Sequence, residues 1–475
     1  MKRLIRNLKI ASVFFLVLVA LLLLGIANQQ RKSREMTWGH SGENKLALRG
    51  QYAHAGSIYS SDGLILAESR NGERRYSDDP VLAASLVQLI GDYSHNIGNT
   101  VEERYQEILT GRGRSLPDEV AAVIYGRGQE GDHLKLSLHA GLCKCAAELL
   151  QPYRASMVLL DAENGDLLVM VNTPGVAPEQ VISWEDIPEG SLYNKALLGE
   201  YSPGSTFKII TDTAYLDSPQ FDPNKSVYCR GTEPLLGPGS VNELRSDAGH
   251  GQLKREEAFA KSCNHFFGTV GIEAGYDQLL KTAESFAFNQ NLSLDGLIAH
   301  GGVFESPNRD DFVMSWLSIG QPVEGAKLYL SPLQLAMMAE APINGGNIYK
   351  PELIIGRTRP SGKWEEMRQP EILTRAGSPE SMRLLESDMA YSADYGLAAA
   401  SNVYGYHIGA KTGTAQITLS TGETVNNALF CGYLNHPNKK IAMAIVIEEQ
   451  SIDISQIAGS MFRSVIETWN LLPEY

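Results

Sequence analysis

The sequence has 475 residues, with 41 basic and 55 acidic side chains and a formal net charge of −14. At 43% apolar and 20% charged residues it can bury a substantial core, which excludes wholesale disorder, and its acidic balance argues against nucleic acid as a partner. Length allows about three units of roughly 150 residues, and five cysteines in so long a chain cannot build a disulfide framework.

The amino end comes first. Lys2, Arg3, Arg6 and Lys9 precede an apolar run from Ile10 to Ala27, broken only by Ser12 and Gly25. Its 18 residues would span about 27 Å as a helix, enough to cross the hydrocarbon of a bilayer. The basic leader favours a cytoplasmic amino terminus. Gly25-Ile26-Ala27 has the look of a cleavage site, but the run exceeds the roughly 7–15 residues of a signal core. We therefore expect a cytoplasmic tail over 1–9, a membrane anchor over 10–28, and the remainder outside the cytoplasm, in a module over 29–150 and a larger domain over 151–475.

Residues 29–46 are polar and linker-like. Gly56–Ala67 reads as two short strands around Asp62-Gly63. Helical periodicity covers Val101–Leu109 and Ala140–Leu150. Gly126-Arg127-Gly128-Gln129-Glu130-Gly131 matches a dinucleotide fingerprint, but Asp132–Leu138 alternates like a strand where that fold needs a helix. Nucleotide binding is therefore not expected. Arg154–Asp161 and Leu167–Asn172, joined through Asn164-Gly165, predict a hairpin. Ser331-Pro332-Leu333-Gln334 is a helix start. Ala428–Leu434 and Ile441–Ile447 predict a second hairpin, and Ile454–Leu471 a closing helix. The region from about 150 onward thus reads as an antiparallel sheet built from its two ends, with a helical insert. Cys143, Cys145, Cys229, Cys263 and Cys431 are read as structural. The ten histidines show no metal-ligand spacing, so no metal or cofactor is expected.

Three short motifs carry chemistry. In Tyr201-Ser202-Pro203-Gly204-Ser205-Thr206-Phe207-Lys208, Ser205 falls at a helix start with Lys208 one turn on, a hydroxyl and a candidate base on one face. Ser262-Cys263-Asn264, placed within a helical stretch from about Lys254, offers a hydroxyl to relay a proton and an amide to hold a peptide. Lys411-Thr412-Gly413-Thr414 offers a cation, two hydroxyls and a strand edge able to pair with an extended peptide. Strand alternation would set the two threonines opposite Lys411. Each motif alone has an ordinary reading: a capped helix with a solvated lysine, a polar helix end, a Thr-rich strand.

Together, in the order S-x-x-K, S-x-N, K-T-G, they resemble the transpeptidase domain of penicillin-binding proteins. The resemblance extends to Val158–Asp161 with Gly165–Val171, to Ile319-Gly320-Gln321, to Ser331–Ala336 and to Asn344-Gly345-Gly346, and covers about residues 150–450. Gly56–Ala67 resembles the start of the class B amino-terminal region, and the short 29–150 module is most like the small PbpA-type class B proteins of Gram-positive bacteria. Ala410 stands where glycine often precedes the K-T-G triplet, and Asp394-Tyr395-Gly396-Leu397 replaces a more usual Gly-Thr pair.

The resemblance implies an α+β fold like that of serine β-lactamases. Its five-stranded antiparallel sheet is flanked by helices and joined to an all-helical subdomain, after a small pedestal module and one transmembrane helix. It implies a D,D-transpeptidase that cross-links peptidoglycan stem peptides ending in D-Ala-D-Ala, with no glycosyltransferase domain, covalently inhibited by β-lactams. Ser205 would be the nucleophile, Lys208 its base, Ser262 the proton relay, and Asn264 the positioner of the peptide. Lys411, Thr412, Gly413 and Thr414 would bind the terminal carboxylate and the peptide. The backbone amides of Ser205 and Thr414 would form the oxyanion hole. A SEDS-type membrane glycosyltransferase is the implied partner. A D,D-carboxypeptidase with the same residues, a β-lactam sensor and a silent scaffold are the alternatives.

Overall fold

The computed structural model describes residues 6–7, 9, 12–20, 50–128, 130–181, 187–243, 248–418, 422–451 and 454–471. The chain divides into two units, Met1–Gln51 and Tyr52–Tyr475. In the first, residues 12–20 are helical and exposed. The predicted anchor over 10–28 lies partly outside the described residues, and the linker over 29–46 wholly so. Among the described residues no helix is long and apolar enough to cross a membrane.

The second unit opens with strands β1 (Ile58–Tyr59), β2 (Ile65–Arg70) and β3 (Glu73–Tyr76), then helix α1 (Pro80–Ile90). The Asp62-Gly63 turn joins β1 to β2 as the spacing predicts. The polar core of this module is built on Glu102: Arg74 Nε donates to its Oε1 at 2.6 Å and Tyr76 Oη to its Oε2 at 2.8 Å. Such a carboxylate is tolerated inside because each oxygen has a donor. Val101–Arg104 and Gln106–Leu109 form the predicted helical turns. Gly131 leads into strand β4 (Leu134–Leu136), not into a helix, and α2 (Ala140–Leu150) follows.

The predicted first hairpin is β5 (Ala155–Asp161) and β6 (Leu167–Thr173). A long insert comes next, whose elements near the site are α3 (Lys208–Leu216), β7 (Ser226–Cys229), β8 (Gly251–Lys254), α4 (Arg255–Ala260), α5 (Asn264–Ala274) and α6 (Pro332–Glu340). Ser331 caps α6, its Oγ accepting from the Gln334 amide at 3.2 Å. Strands β9 (Ile354–Thr358) and β10 (Trp364–Glu366) and helix α7 (Pro379–Tyr395) complete the insert. The chain then closes with β11 (His407–Thr418), β12 (Thr424–His436), β13 (Lys439–Gln450) and α8 (Ser455–Leu471).

Two sheets organise the unit. One has five antiparallel strands in the order β11-β12-β13-β5-β6, so the two predicted hairpins are joined through β13 and β5. Burial is unbroken along Ala155–Leu160 and Ile441–Ile447. Successive strand residues point to opposite faces, so both faces of this sheet are covered. Helices α6, α2 and α8 pack against it. The other sheet has six strands, β10-β9-β4-β1-β2-β3, drawn from both sides of residue 150. The insert departs from the all-helical expectation. Four two-stranded pairs lie within it among the described residues. One of them, Leu292–Leu294 with Leu297–Ala299, turns at Asp295-Gly296, a hairpin signal that the helical reading passed over.

Candidate active site

Ser205 lies in a short 3₁₀ turn, Gly204–Phe207, that runs directly into α3, so Lys208 begins the helix. The turn is clamped from two sides. The Gly204 amide and the Ser202 hydroxyl both donate to the Gly320 carbonyl, at 3.0 and 2.9 Å. On the other side lies β11, the edge strand of the five-stranded sheet. A Cβ on Gly413 would stand 2.8 Å from Thr206 Cγ2 and 3.0 Å from the Pro203 oxygen. Only a glycine lets the strand approach the turn this closely. Gly204 (φ +51°) likewise has no room for a side chain, because its Cβ would meet the Thr414 carbonyl oxygen at 2.4 Å. The backbones of the Ser205 turn and of Thr414 are thus in contact.

Ser262-Cys263-Asn264 is not inside a helix. It forms the break between α4 and α5, with Ser262 in the left-handed region at φ +53°. The Cys263 amide closes onto the Ala258 carbonyl at 2.8 Å, and Cys263 caps α5 through Sγ, which accepts from the Phe266 amide at 3.4 Å. A non-glycine residue held at positive φ is a strained feature that the surroundings must enforce. Here it turns the Ser262 hydroxyl into the space between two lysines.

Lys208 is fully buried. Its Nζ lies 2.6 Å from the Ser262 carbonyl oxygen, 2.6 Å from Asn264 Oδ1 and 3.2 Å from Ser262 Oγ. Lys411, also fully buried, donates from Nζ to Ser262 Oγ and to the Thr412 carbonyl, both at 2.9 Å. Burial lowers the Lys208 pKa to about 8, against the opposing pull of Glu243 and the Cys263 and Cys229 sulfurs. Burial, and then the neighbouring Lys208, push Lys411 well below its ordinary range. Two buried amines sharing one hydroxyl favour carrying one proton over two. In its neutral form Lys208 would give its two N–H groups to the two acceptors at 2.6 Å and keep a lone pair for a hydroxyl.

The structure therefore brings Ser205, Lys208, Ser262, Asn264 and Lys411 to one crevice beside the β11 edge. The Ser205 hydroxyl is half-buried and takes no bond from Lys208, whose donors are engaged by Ser262 and Asn264. Of the two threonines, Thr412 is buried and Thr414 is the more open. Lys411 and Gly413 share the face turned toward the Ser205 turn, so alternation holds here as expected.

Sequence reasoning missed the support of Asn264. The loop after β7 supplies it: the Asn242 carbonyl accepts from Asn264 Nδ2 at 2.8 Å, and Glu243 Oε1 accepts from the Asn264 amide at 2.5 Å. Burial pushes the Glu243 carboxyl up, but His265, Lys208, His250 and the Asn264 amide outweigh it and hold the group at about 2. Glu243 is also the centre of a compact group with Cys229, His250 and Cys263. Of these four only Cys263, the middle residue of Ser262-Cys263-Asn264, stands in a motif. All five cysteines are free, and burial raises the thiols of Cys143 and Cys431 to about 12, in keeping with the structural reading of those two.

The family described as penicillin binding protein transpeptidase domain matches residues 155–467. The peptidoglycan D,D-transpeptidase PbpA of Mycolicibacterium smegmatis is 27% identical over 447 residues, covering 88% of this chain and 89% of that protein. Stage V sporulation protein D of Bacillus subtilis is 26% identical over 373 residues, covering 75% of this chain and 55% of that protein. The penicillin G acyl-enzyme complex of penicillin-binding protein A from Mycobacterium tuberculosis superposes with a TM-score of 0.75 at 25% identity, covering 88% of this chain and 99% of that one.

Proposed function

The chain belongs to the penicillin-binding protein transpeptidase family, and from that premise we propose that it cross-links peptidoglycan stem peptides through an acyl-enzyme on Ser205. The observation that carries this reading is the single Ser262 hydroxyl lying 3.2 Å from one buried amine and 2.9 Å from another. Ser205 Oγ attacks the carbonyl carbon of the penultimate D-alanine, and its proton passes to neutral Lys208. The amides of Ser205 and Thr414 receive the charge that develops on the oxygen. One such donor contributes about 10²–10³ in rate. The tetrahedral centre collapses, the C–N bond breaks, and Ser262 passes the proton from Lys208 to the departing D-alanine amine. An amine of a second stem peptide then displaces Ser205 and completes the cross-link. Asn264 holds the donor peptide, which pairs along the β11 edge by Gly413. Lys411, Thr412 and Thr414 bind its terminal carboxylate, Thr414 having the most open side chain. A β-lactam follows the same first step and remains as an ester on Ser205.

Fluorescent penicillin is expected to label the protein and to leave Ser205→Ala unlabelled. Labelling that survives in the variant would defeat the assignment.

The same reading extends to the amino end. Residues 1–9 are cytoplasmic, 10–28 anchor the chain in the membrane, 29–150 act as a pedestal, and 151–475 carry the transpeptidase outside the cell. A SEDS-type glycosyltransferase is the partner. In support, the helix Leu116–Ile124 exposes Leu116, Val120, Val123 and Ile124, an apolar face available to another protein. Retention in the membrane after alkaline extraction tests the anchor. Loss of glycosyltransferase co-purification in Val120→Glu tests the partner.

A further inference from the structure

Cys229, Glu243, His250 and Cys263 are separated in sequence by loops and a strand, yet their ligand atoms all lie within 4.8 Å of one another. Cys229 ends β7, His250 immediately precedes β8, Glu243 sits in the loop between them, and Cys263 is the central residue of the Ser262–Asn264 turn. Cys229 Sγ is 3.6 Å from Glu243 Oε1, and His250 Nδ1 is 3.9 Å from the same oxygen. Bonds of roughly 2.0–2.3 Å around a tetrahedral zinc ion would set such donors about 3.3–3.8 Å apart, so these pairs need to move only by tenths of an ångström.

The surroundings are those of a ligand site. Both cysteines are fully buried, both are free, and Glu243 is buried. The His250 Nδ1 atom is buried with no hydrogen-bond partner. A buried ring nitrogen without a partner costs free energy unless something accepts its lone pair. His265 lines the same space. Its Nε2 is 2.9 Å from the Glu233 carbonyl oxygen, which leaves Nδ1 turned to Cys229 Sγ at 3.4 Å.

We propose that Cys229, Glu243, His250 and Cys263 bind one zinc ion, which ties the β7–β8 hairpin to the turn that carries Ser262 and Asn264. Two sulfur donors, an imidazole and a carboxylate suit zinc over magnesium or calcium, which take oxygen ligands. Four protein ligands close the coordination shell, so the ion is structural and does not activate water. On binding, each thiol releases its proton to solvent. The dication then faces two thiolates and one carboxylate, a net charge of −1, the same as two thiols and a carboxylate without it. The ion therefore acts on the site by holding its geometry and leaves the charge near Lys208 unchanged. This role in positioning rests on the Ser205 reading above; the binding itself does not.

The test uses the full chain, purified with thiols reduced and without chelator. Mass spectrometry of the metal content is expected to find one zinc per chain, and none in Cys229→Ser/Cys263→Ser. Stripped wild-type protein reloaded with cobalt(II) is expected to show sulfur-to-cobalt charge transfer and the intense visible bands of tetrahedral coordination. That measurement needs no variant to fold. Reduced wild-type protein that holds no zinc and gives no charge-transfer band would overturn the site. Chelation is expected to slow β-lactam acylation about 10–100-fold, because displacing positioning groups by about 1 Å costs that much. Zinc, and not magnesium, should restore it. Acylation indifferent to chelation in zinc-loaded protein would overturn the positioning role, and the metal content would separate that failure from one of the Ser205 assignment.

Discussion

A buried lysine whose pKa lies at about 8 is a base only on one side of that value. Below it the amine holds its proton and has no lone pair for the Ser205 hydroxyl. Above it the neutral form dominates. The rate of acylation by a chromogenic cephalosporin should therefore rise with pH through an apparent pKa near 8 and then level off. Stopped-flow profiles would show it, and a flat profile across about pH 6–9 would speak against Lys208 as the base. Arginine at this position stays ionised throughout. Lys208→Arg should thus be slow, by a factor of about 10² or more, at every pH, with no rising limb. The participants at this scale were legible because each stands in a short motif of fixed spacing. Glu243 was not, since its single carboxylate acts through the backbone of Asn264, and a lone glutamate in a loop carries no linear signature.

The three helices around the crevice are tied by one guanidinium. Arg255, the first residue of α4, reaches Asp388 of α7 and, at 3.2 Å, Asp212 of α3. Both carboxylates are fully buried, and burial raises the Asp212 pKa to about 6 although Arg255 opposes it. The bridge fixes α3, which begins at Lys208, against α4, which ends just before Ser262. Arg255→Met keeps much of the side-chain volume and leaves two facing buried carboxylates. It should destabilise the fold by about 3–5 kcal/mol, read as a fall in the urea midpoint. A loss below about 1 kcal/mol would mean that the bridge is dispensable. At this scale the hairpins were readable, since alternation and a turn residue are local signals. The same habit failed at Ser262–Asn264. Apolar periodicity runs on through α4 and α5, and nothing local announces the left-handed residue that separates them. The Cys229–Glu243–His250–Cys263 group was invisible for a related reason: its spacing is set by a hairpin and a turn, so no fixed interval marks it.

At the scale of the whole unit, the pattern of hairpins suggested a boundary near residue 150, but the sheet that crosses this position is a matter of long-range pairing. Strand β4 lies between β1 and β9, parallel to the first and antiparallel to the second. Leu134 and Leu136 are fully buried there. Helix α2 ends at residue 150 with Cys143, Ala146 and Leu150 fully buried, packed against β6 and α8. A chain starting at residue 151 would lose four of the six strands of that sheet. It would leave the β9–β10 hairpin without its β4 neighbour and bare the apolar surface under α2. Open strand edges and uncovered apolar faces of this kind promote aggregation. Residues 151–475 expressed alone should therefore be insoluble or unlabelled by fluorescent penicillin, while residues 52–475 should be soluble and labelled. A soluble 151–475 fragment that acylates at the full rate would make the six-stranded sheet an accessory to the catalytic fold. The expected result makes it a structural part of it: β9 is reached only through the insert that bears Ser262 and Asn264, so the pairing of β9 with β4 anchors that insert from its far end.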